Sequence, residues 1–146
     1  MIWLLRHGDA YDPEPGQSDA ERPLTQKGER QARAAGLALA KLGVSIDTCL
    51  ASPRVRARDT ALLACEALGV APRIEPALAG GRFDAEALAA GHGEHVLLVG
   101  HEPDFSRAVH ELTGAQAQMK KGGLAGCEPG LLHVLLRPAE LRAIAG

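Results

Sequence analysis

Met1-Ile2-Trp3-Leu4-Leu5-Arg6-His7-Gly8-Asp9 is the stretch from which the rest of the chain can be read. Four apolar residues, Ile2 to Leu5, run directly into Arg6-His7-Gly8, the pattern of a short buried strand that ends in a turn. In an open α/β sheet the carboxyl end of such a strand is where ligands bind. Arg6 and His7 therefore bring a permanent cation and a nucleophile or base to one point. Further along, His95-Val96-Leu97-Leu98-Val99-Gly100-His101 repeats the theme: an apolar run, read as a central strand, that again closes in glycine and histidine.

The segments between these strands alternate in character. Residues 9–23 are polar and contain Pro13, Pro15 and Pro23, which reads as a loop beside the first strand end. Thr25 is a natural N-cap for a helix whose Ala32, Ala35, Leu39 and Leu42 share one face and which Gly43 ends. Residues 46–51 read as a second strand. Ser52-Pro53 is expected to open the next helix, with Ser52 as N-cap and a buried face of Ala57, Ala61, Ala64, Cys65 and Leu68. Arg54, Arg56 and Arg58 crowd the first turn of that helix, where the dipole disfavours cations, and a bound anion is the simplest reason for them.

Residues 72–78 suggest a short third strand, 84–90 a short helix, and Pro103 to Gly114 a helix with Phe105, Ala108, Val109 and Leu112 inward. Lys120-Lys121-Gly122-Gly123 reads as a solvated turn, and 124–127 and 131–136 as a closing pair of strands. Alternating strands and helices imply an α/β fold: a three-layer α/β/α sandwich with a mostly parallel sheet and an antiparallel edge, spanning residues 1–146 as one domain.

Composition narrows the classes of function. The chain has 46% hydrophobic and 23% charged residues and a net charge of −2, which offers no broad basic field for nucleic acid. No segment approaches the length a transmembrane helix requires, so no membrane partner is expected. Strand residues beginning at Ile2 leave no space for a signal peptide, and Cys49, Cys65 and Cys127 are odd in number and widely spaced. Both points lead to the expectation of a cytoplasmic protein. His92-Gly93-Glu94-His95 invites a metal reading, but no further ligand pattern supports it, and no metal site is expected.

Parallel strands present their carboxyl ends on one side, so Arg6 and His7, Ser52 with Arg56, and His101 can converge. Two arginines and a second histidine around His7 would hold a tetrahedral dianion through charge-assisted, forked hydrogen bonds. Nearby positive charge is expected to keep His7 neutral, and a neutral imidazole facing a phosphoryl group is poised for in-line attack.

These residues resemble a known family. Leu5-Arg6-His7-Gly8 is similar to the signature of the histidine phosphatase, or phosphoglycerate-mutase-like, superfamily. Leu24-Thr25-Gln26-Lys27-Gly28 with Gln31-Ala32 resembles its second conserved segment. Ser52-Pro53-Arg54-Val55-Arg56-Ala57 with Thr60-Ala61 resembles its arginine motif, and Val99-Gly100-His101 its second histidine motif. The four occur in family order.

The resemblance implies a phosphatase that needs no cofactor, with His7 as the phosphorylated nucleophile. Arg6, Arg56 and His101 would complete the phosphate pocket, Ser52 would be a supporting contact and Arg22 a possible substrate contact. Larger members carry a helical insertion with a glutamate proton donor, and the short span between Leu68 and Val99 leaves no space for it. That compactness, Arg22-Pro23-Leu24-Thr25 and the Lys120-Lys121-Gly122-Gly123-Leu124-Ala125 turn resemble the short phosphohistidine phosphatase branch. The general acid is left open among Asp84, Glu102 and Asp9. The expected substrate is phosphohistidine in a phosphorylated protein. The rivals are a small phosphorylated metabolite, and a phosphoprotein-binding module without turnover.

Overall fold

Alternate residues of the first strand, β1 (Ile2–Arg6), face two different hydrophobic cores, so a layer must cover each side of the sheet. Trp3 and Leu5 join Cys49, Ala51, Leu97 and Val99 on one face. Ile2 and Leu4 join Leu50, Val96 and Leu98 on the other. In the computed structural model, which describes residues 1–146, the first face is covered by α1 (Gln26–Lys41), α2 (Val55–Cys65) and α5 (Pro138–Ala145). The second is covered by α3 (Ala85–Ala89) and α4 (Asp104–Thr113), which contribute Ala85, Ala89, Phe105, Ala108 and Val109.

The remaining strands are β2 (Thr48–Ala51), β3 (Arg73–Ile74), β4 (Val96–Gly100), β5 (Leu124–Glu128) and β6 (Leu131–Leu136), in sheet order β3-β2-β4-β1-β5-β6. β3, β2, β4 and β1 are mutually parallel, and β5 pairs antiparallel with both β1 and β6. The fold is the expected three-layer α/β/α sandwich with an antiparallel edge. β4 is fully buried between β2 and β1, as its unbroken apolar run requires.

Several local expectations change. Ser52 does not cap a helix: α2 begins at Val55, and the Ser52 hydroxyl accepts the Arg54 N–H across a turn at 3.1 Å. Leu42 is exposed at the C-cap of α1, one residue past the helix's last turn. Leu68 is only partly buried. The third strand shrinks to two residues followed by a 3-10 turn at Pro76–Leu78. Helix α5 had no counterpart in the sequence reading. Its signals were Pro138 at the first turn and the Arg137–Glu140 capping pair, and its Leu141 is buried in the core on the α1 side of the sheet.

No helix is long and apolar enough to cross a membrane.

Candidate active site

The ends of β1, β2 and β4 are locked together by backbone bonds that continue the ladder past the strands. His7 N–H donates to Gly100 O and Ser52 N–H to Val99 O, both at 3.0 Å. The turn before β5 closes the other side, where Gly122 N–H donates to His7 O at 2.9 Å and Arg6 N–H to Gly123 O at 3.0 Å. A cleft of about 460 Å³ opens at this junction, lined by Arg6, His7, Arg56 and His101. Four of the five residues expected to converge line it; the fifth, Ser52, is fully buried behind His101 and does not reach the cleft as the expected phosphate contact.

The loop carrying His7 needs two glycines. A Cβ on Gly8 would lie 2.5 Å from the Gly28 carbonyl oxygen, and one on Gly28 would lie 2.0 Å from that of Asp9. The start of α1 therefore packs against the loop backbone to backbone, tied by Thr25 N–H to Asp9 O at 3.0 Å. On the α2 side, Thr60 Oγ1 accepts from Gly8 N–H at 3.1 Å and donates to Arg56 O at 2.7 Å. The second and third sequence motifs thus fix the first.

His7 is buried, and its Nδ1 lies 2.7 Å from the Gly8 carbonyl oxygen. A carbonyl only accepts, so Nδ1 carries the proton and Nε2 is left with its lone pair. Burial first, then Arg56, Arg6 and Lys121, push the His7 pKa down to about 4, against the opposing pull of the Gly8 bond. The sequence reading gave positive charge as the cause; desolvation outweighs it. His101 is likewise lowered to about 3, by burial and then by His7, Arg56 and Arg54. Its Nε2 shares a 2.7 Å hydrogen bond with the Ser52 hydroxyl, and its Nδ1 is buried without a protein partner. The two imidazoles lie 5.3 Å apart, centroid to centroid. Arg6 donates through Nη1 to Met119 O at 2.9 Å, and the Nε atoms of Arg6 and Arg56 are both buried and unpartnered.

A histidine beside a strand-end arginine, with a second arginine and a second histidine lining the same cleft, is an arrangement able to hold a phosphoryl group. The model of the histidine phosphatase superfamily (branch 1) matches residues 2–85. The chain belongs to that superfamily. It is a phosphatase.

A relative of this histidine phosphatase, an uncharacterised protein of Picosynechococcus sp., is 34% identical over 144 residues, 91% of this chain and 87% of that one. Among solved structures, the protein histidine phosphatase SixA complexed with tungstate superposes with a TM-score of 0.81 at 23% identity, covering 96% of this chain and 98% of that one. A proposed phosphohistidine phosphatase SixA from Nakamurella multipartitia gives a TM-score of 0.78 at 26% identity, covering 94% and 95%. The architecture is thus that of the short, phosphohistidine-phosphatase-like branch.

The three candidates for general acid are separated by the fold. Asp84 caps α3, its side chain accepting from Ala87 N–H at 3.0 Å. It lines a different cleft of about 470 Å³, between α3 and α4, which contains none of Arg6, His7, Arg56 or His101. Asp9 is turned toward α1: its Oδ2 accepts from the Thr25 hydroxyl at 2.8 Å, and its Oδ1 lies 3.7 Å from Lys121 Nζ. Glu102 does line the cleft that holds His7, with both carboxylate oxygens engaged by Ser106, on its N–H and its hydroxyl.

Other residues enter that the motifs did not single out. Arg54 and Lys121 line the cleft, and so does Arg22, which the resemblance had offered as a substrate contact. The anion among the arginines is internal: Asp19 pairs with Arg22, Arg54 and Arg56, while Arg58 turns away to Asp59. Asp104 also lines the cleft, and its carboxylate accepts from Gly81 N–H at 3.0 Å, which holds the rim loop against α4. His95 is occupied structurally, its Nδ1 accepting from Trp3 Nε1 at 3.1 Å, and no group of three or more metal-ligating side chains is gathered anywhere.

Proposed function

We propose that this phosphatase removes phosphate from phosphohistidine in a protein by way of a phosphohistidine intermediate on His7. The observation that carries this is the His7 ring: its Nδ1 proton is committed to Gly8 O, so Nε2 is a neutral nucleophile on the wall of an arginine-lined cleft. Nε2 attacks phosphorus in line, the phosphorus–nitrogen bond to the substrate breaks, and the bond electrons leave with the substrate imidazole. Water then attacks the phosphoryl group on His7, releasing inorganic phosphate and restoring Nε2.

Arg6 and Arg56 supply fixed positive charge to the equatorial oxygens as negative charge shifts during transfer. In the tautomer in which the Ser52 hydroxyl donates to His101 Nε2, the ring proton sits on Nδ1, a nitrogen that lacks a protein partner and would then donate to a phosphoryl oxygen. No step calls for a metal ion, because side chains provide the cations.

Two features favour a protein-borne phosphoramidate. Between α2 and β4 the chain has only β3, a 3-10 turn and α3, so no helical lid covers the cleft. The acids on the cleft wall are also committed: Glu102 is held by Ser106 and Asp104 by Gly81. A phosphohistidine whose other ring nitrogen is protonated departs as neutral imidazole, so it asks less of a proton donor than an alkoxide does.

The test is hydrolysis, in chelator, of a phosphohistidine protein beside para-nitrophenyl phosphate and a sugar-phosphate panel, with quench-flow trapping of radiolabel on His7. Fast loss of phosphohistidine with label on His7 supports the proposal. Preferential ester turnover would move the assignment to a small-molecule phosphatase, and label that never reaches His7 would overturn the covalent route.

A further inference from the structure

Asp19 engages three of the arginines that line the cleft. Its Oδ1 accepts from Arg22 Nη1 at 3.1 Å, and its Oδ2 from Arg54 Nη1 at 2.7 Å and from Arg56 Nη2 at 3.0 Å. Its backbone carbonyl also accepts from Arg56 Nη1 at 2.8 Å. Both terminal nitrogens of Arg56 are therefore taken by a single residue.

We propose that Asp19 is a displaceable internal counter-ion: its carboxylate occupies the arginine donors of the cleft, and a phosphoryl dianion must replace it to bind. The proposal rests on the reading of the cleft as a phosphate site. It makes Asp19 a residue that sets affinity and charge selectivity. A monoanion offers the arginines no more charge than the carboxylate it would evict, whereas a dianion does.

Displacement fits the way Asp19 is held. Its side chain is 51% exposed, while that of Arg56 is 7% exposed, so the carboxylate is the partner that can leave. The 3-10 turn that carries it, Asp19–Glu21, buries no residue and is braced by its own Ser18–Glu21 hydrogen bonds. The loop is pinned at its base, by Tyr11 N–H to Pro23 O and the Ala10–Leu24 bridge. The turn can thus shift as a unit while its base stays in place. Ion pairs to a half-exposed carboxylate are weak, whereas a phosphoryl dianion on buried Arg56 gains charge-assisted, forked bonds in a drier setting.

The opposing possibility is that Asp19 positions Arg56 for substrate, and it predicts the opposite sign. The experiment is calorimetric titration of the full chain with tungstate and with inorganic phosphate, comparing wild type, Asp19→Asn, Asp19→Ser and Arg56→Ala. Melting temperatures confirm that each variant folds. Loss of the carboxylate should tighten oxyanion binding roughly three- to tenfold in both Asp19 variants, with KM for a phosphate ester falling in parallel. Unchanged or weaker binding in the Asp19 variants, with Arg56→Ala still impaired, would overturn the counter-ion and leave the phosphate site standing. Binding indifferent to Arg56→Ala would overturn the phosphate site and this inference with it.

Discussion

His7 Nδ1 donates to the Gly8 carbonyl oxygen at 2.7 Å, a bond between neighbouring residues that fixes which nitrogen of the ring can act. A substitution that keeps a donor near the Nδ1 position but removes Nε2 should keep the fold and lose the reaction. His7→Asn is expected to lower turnover by roughly 10³-fold or more while oxyanion affinity stays within a few-fold. Steady-state kinetics alongside tungstate titration check this, and near-normal turnover would remove His7 from the chemistry.

The depressed pKa values of His7 and His101 make stability depend on pH in a definite direction. Both groups are lowered from 6.5, to about 4 and about 3 respectively, so the unfolded chain binds protons that the folded chain refuses. Stability is therefore full above pH 6.5 and falls as the pH drops toward 4. His7 alone accounts for about 3 kcal/mol of that loss. The lowered carboxylates Asp19, Glu21 and Glu140 add to the same trend only at the acid end of this window. Urea unfolding between pH 7 and 4.5 should show the slope in wild type and a flatter profile in a His7→Gln/His101→Gln double variant.

Ser52 is more than part of a turn, because its hydroxyl is the partner of His101 Nε2 at 2.7 Å in a fully buried setting. Removing it leaves that nitrogen without a protein hydrogen bond and frees the ring to change tautomer. Ser52→Ala should reduce kcat about 10- to 100-fold with a smaller change in KM. Wild-type kcat in this variant would show that the Ser52 contact does not set the state of His101.

Gly28 is the point where α1 meets the His7 loop, and a Cβ there would sit 2.0 Å from Asp9 O. The clash is with backbone, which cannot swing aside as a side chain would. Gly28→Ala should cost about 3 kcal/mol of stability and impair turnover together. Thermal unfolding and activity assays on the same preparation test whether the two effects travel together.

Asp84 and Glu102 give opposite expectations. Asp84 caps α3 in another cleft, so Asp84→Ala should lose about 1 kcal/mol of stability and leave kcat/KM within about twofold. Glu102 is linked to Arg6 through Ser106 and Met119: Ser106 Oγ accepts from Met119 N–H, and Met119 O accepts from Arg6. Glu102→Gln should weaken substrate binding by loosening Arg6, seen as a rise in KM. A large kcat loss confined to ester substrates in Asp84→Ala would reverse the assignment of Asp84.

The amino-acid sequence by itself determined the architecture and the order of the motifs. Apolar runs ending in glycine mark β1 and β4, and period-three-and-four stripes mark α1, α2 and α4, because burial of alternating or helical faces leaves a local trace. It also singled out Arg6, His7, Arg56 and His101, which the fold gathers around one cleft.

What only the tertiary structure decided depends on where side chains separated along the chain meet. Asp19 reaches Arg54 and Arg56 from a polar loop with no periodicity, Lys121 reaches the cleft from a turn that reads as solvated, and Asp104 reaches it from the first turn of α4. Ser52 looked like a helix cap and became the partner of His101, a residue two strands' worth of chain away. Asp84 stood among the candidates for general acid, yet its cap points it into another cleft. Hydrogen bonds and ion pairs form between groups a few ångströms apart in space, and long-range proximity leaves no period or composition in the chain for a linear reading to find.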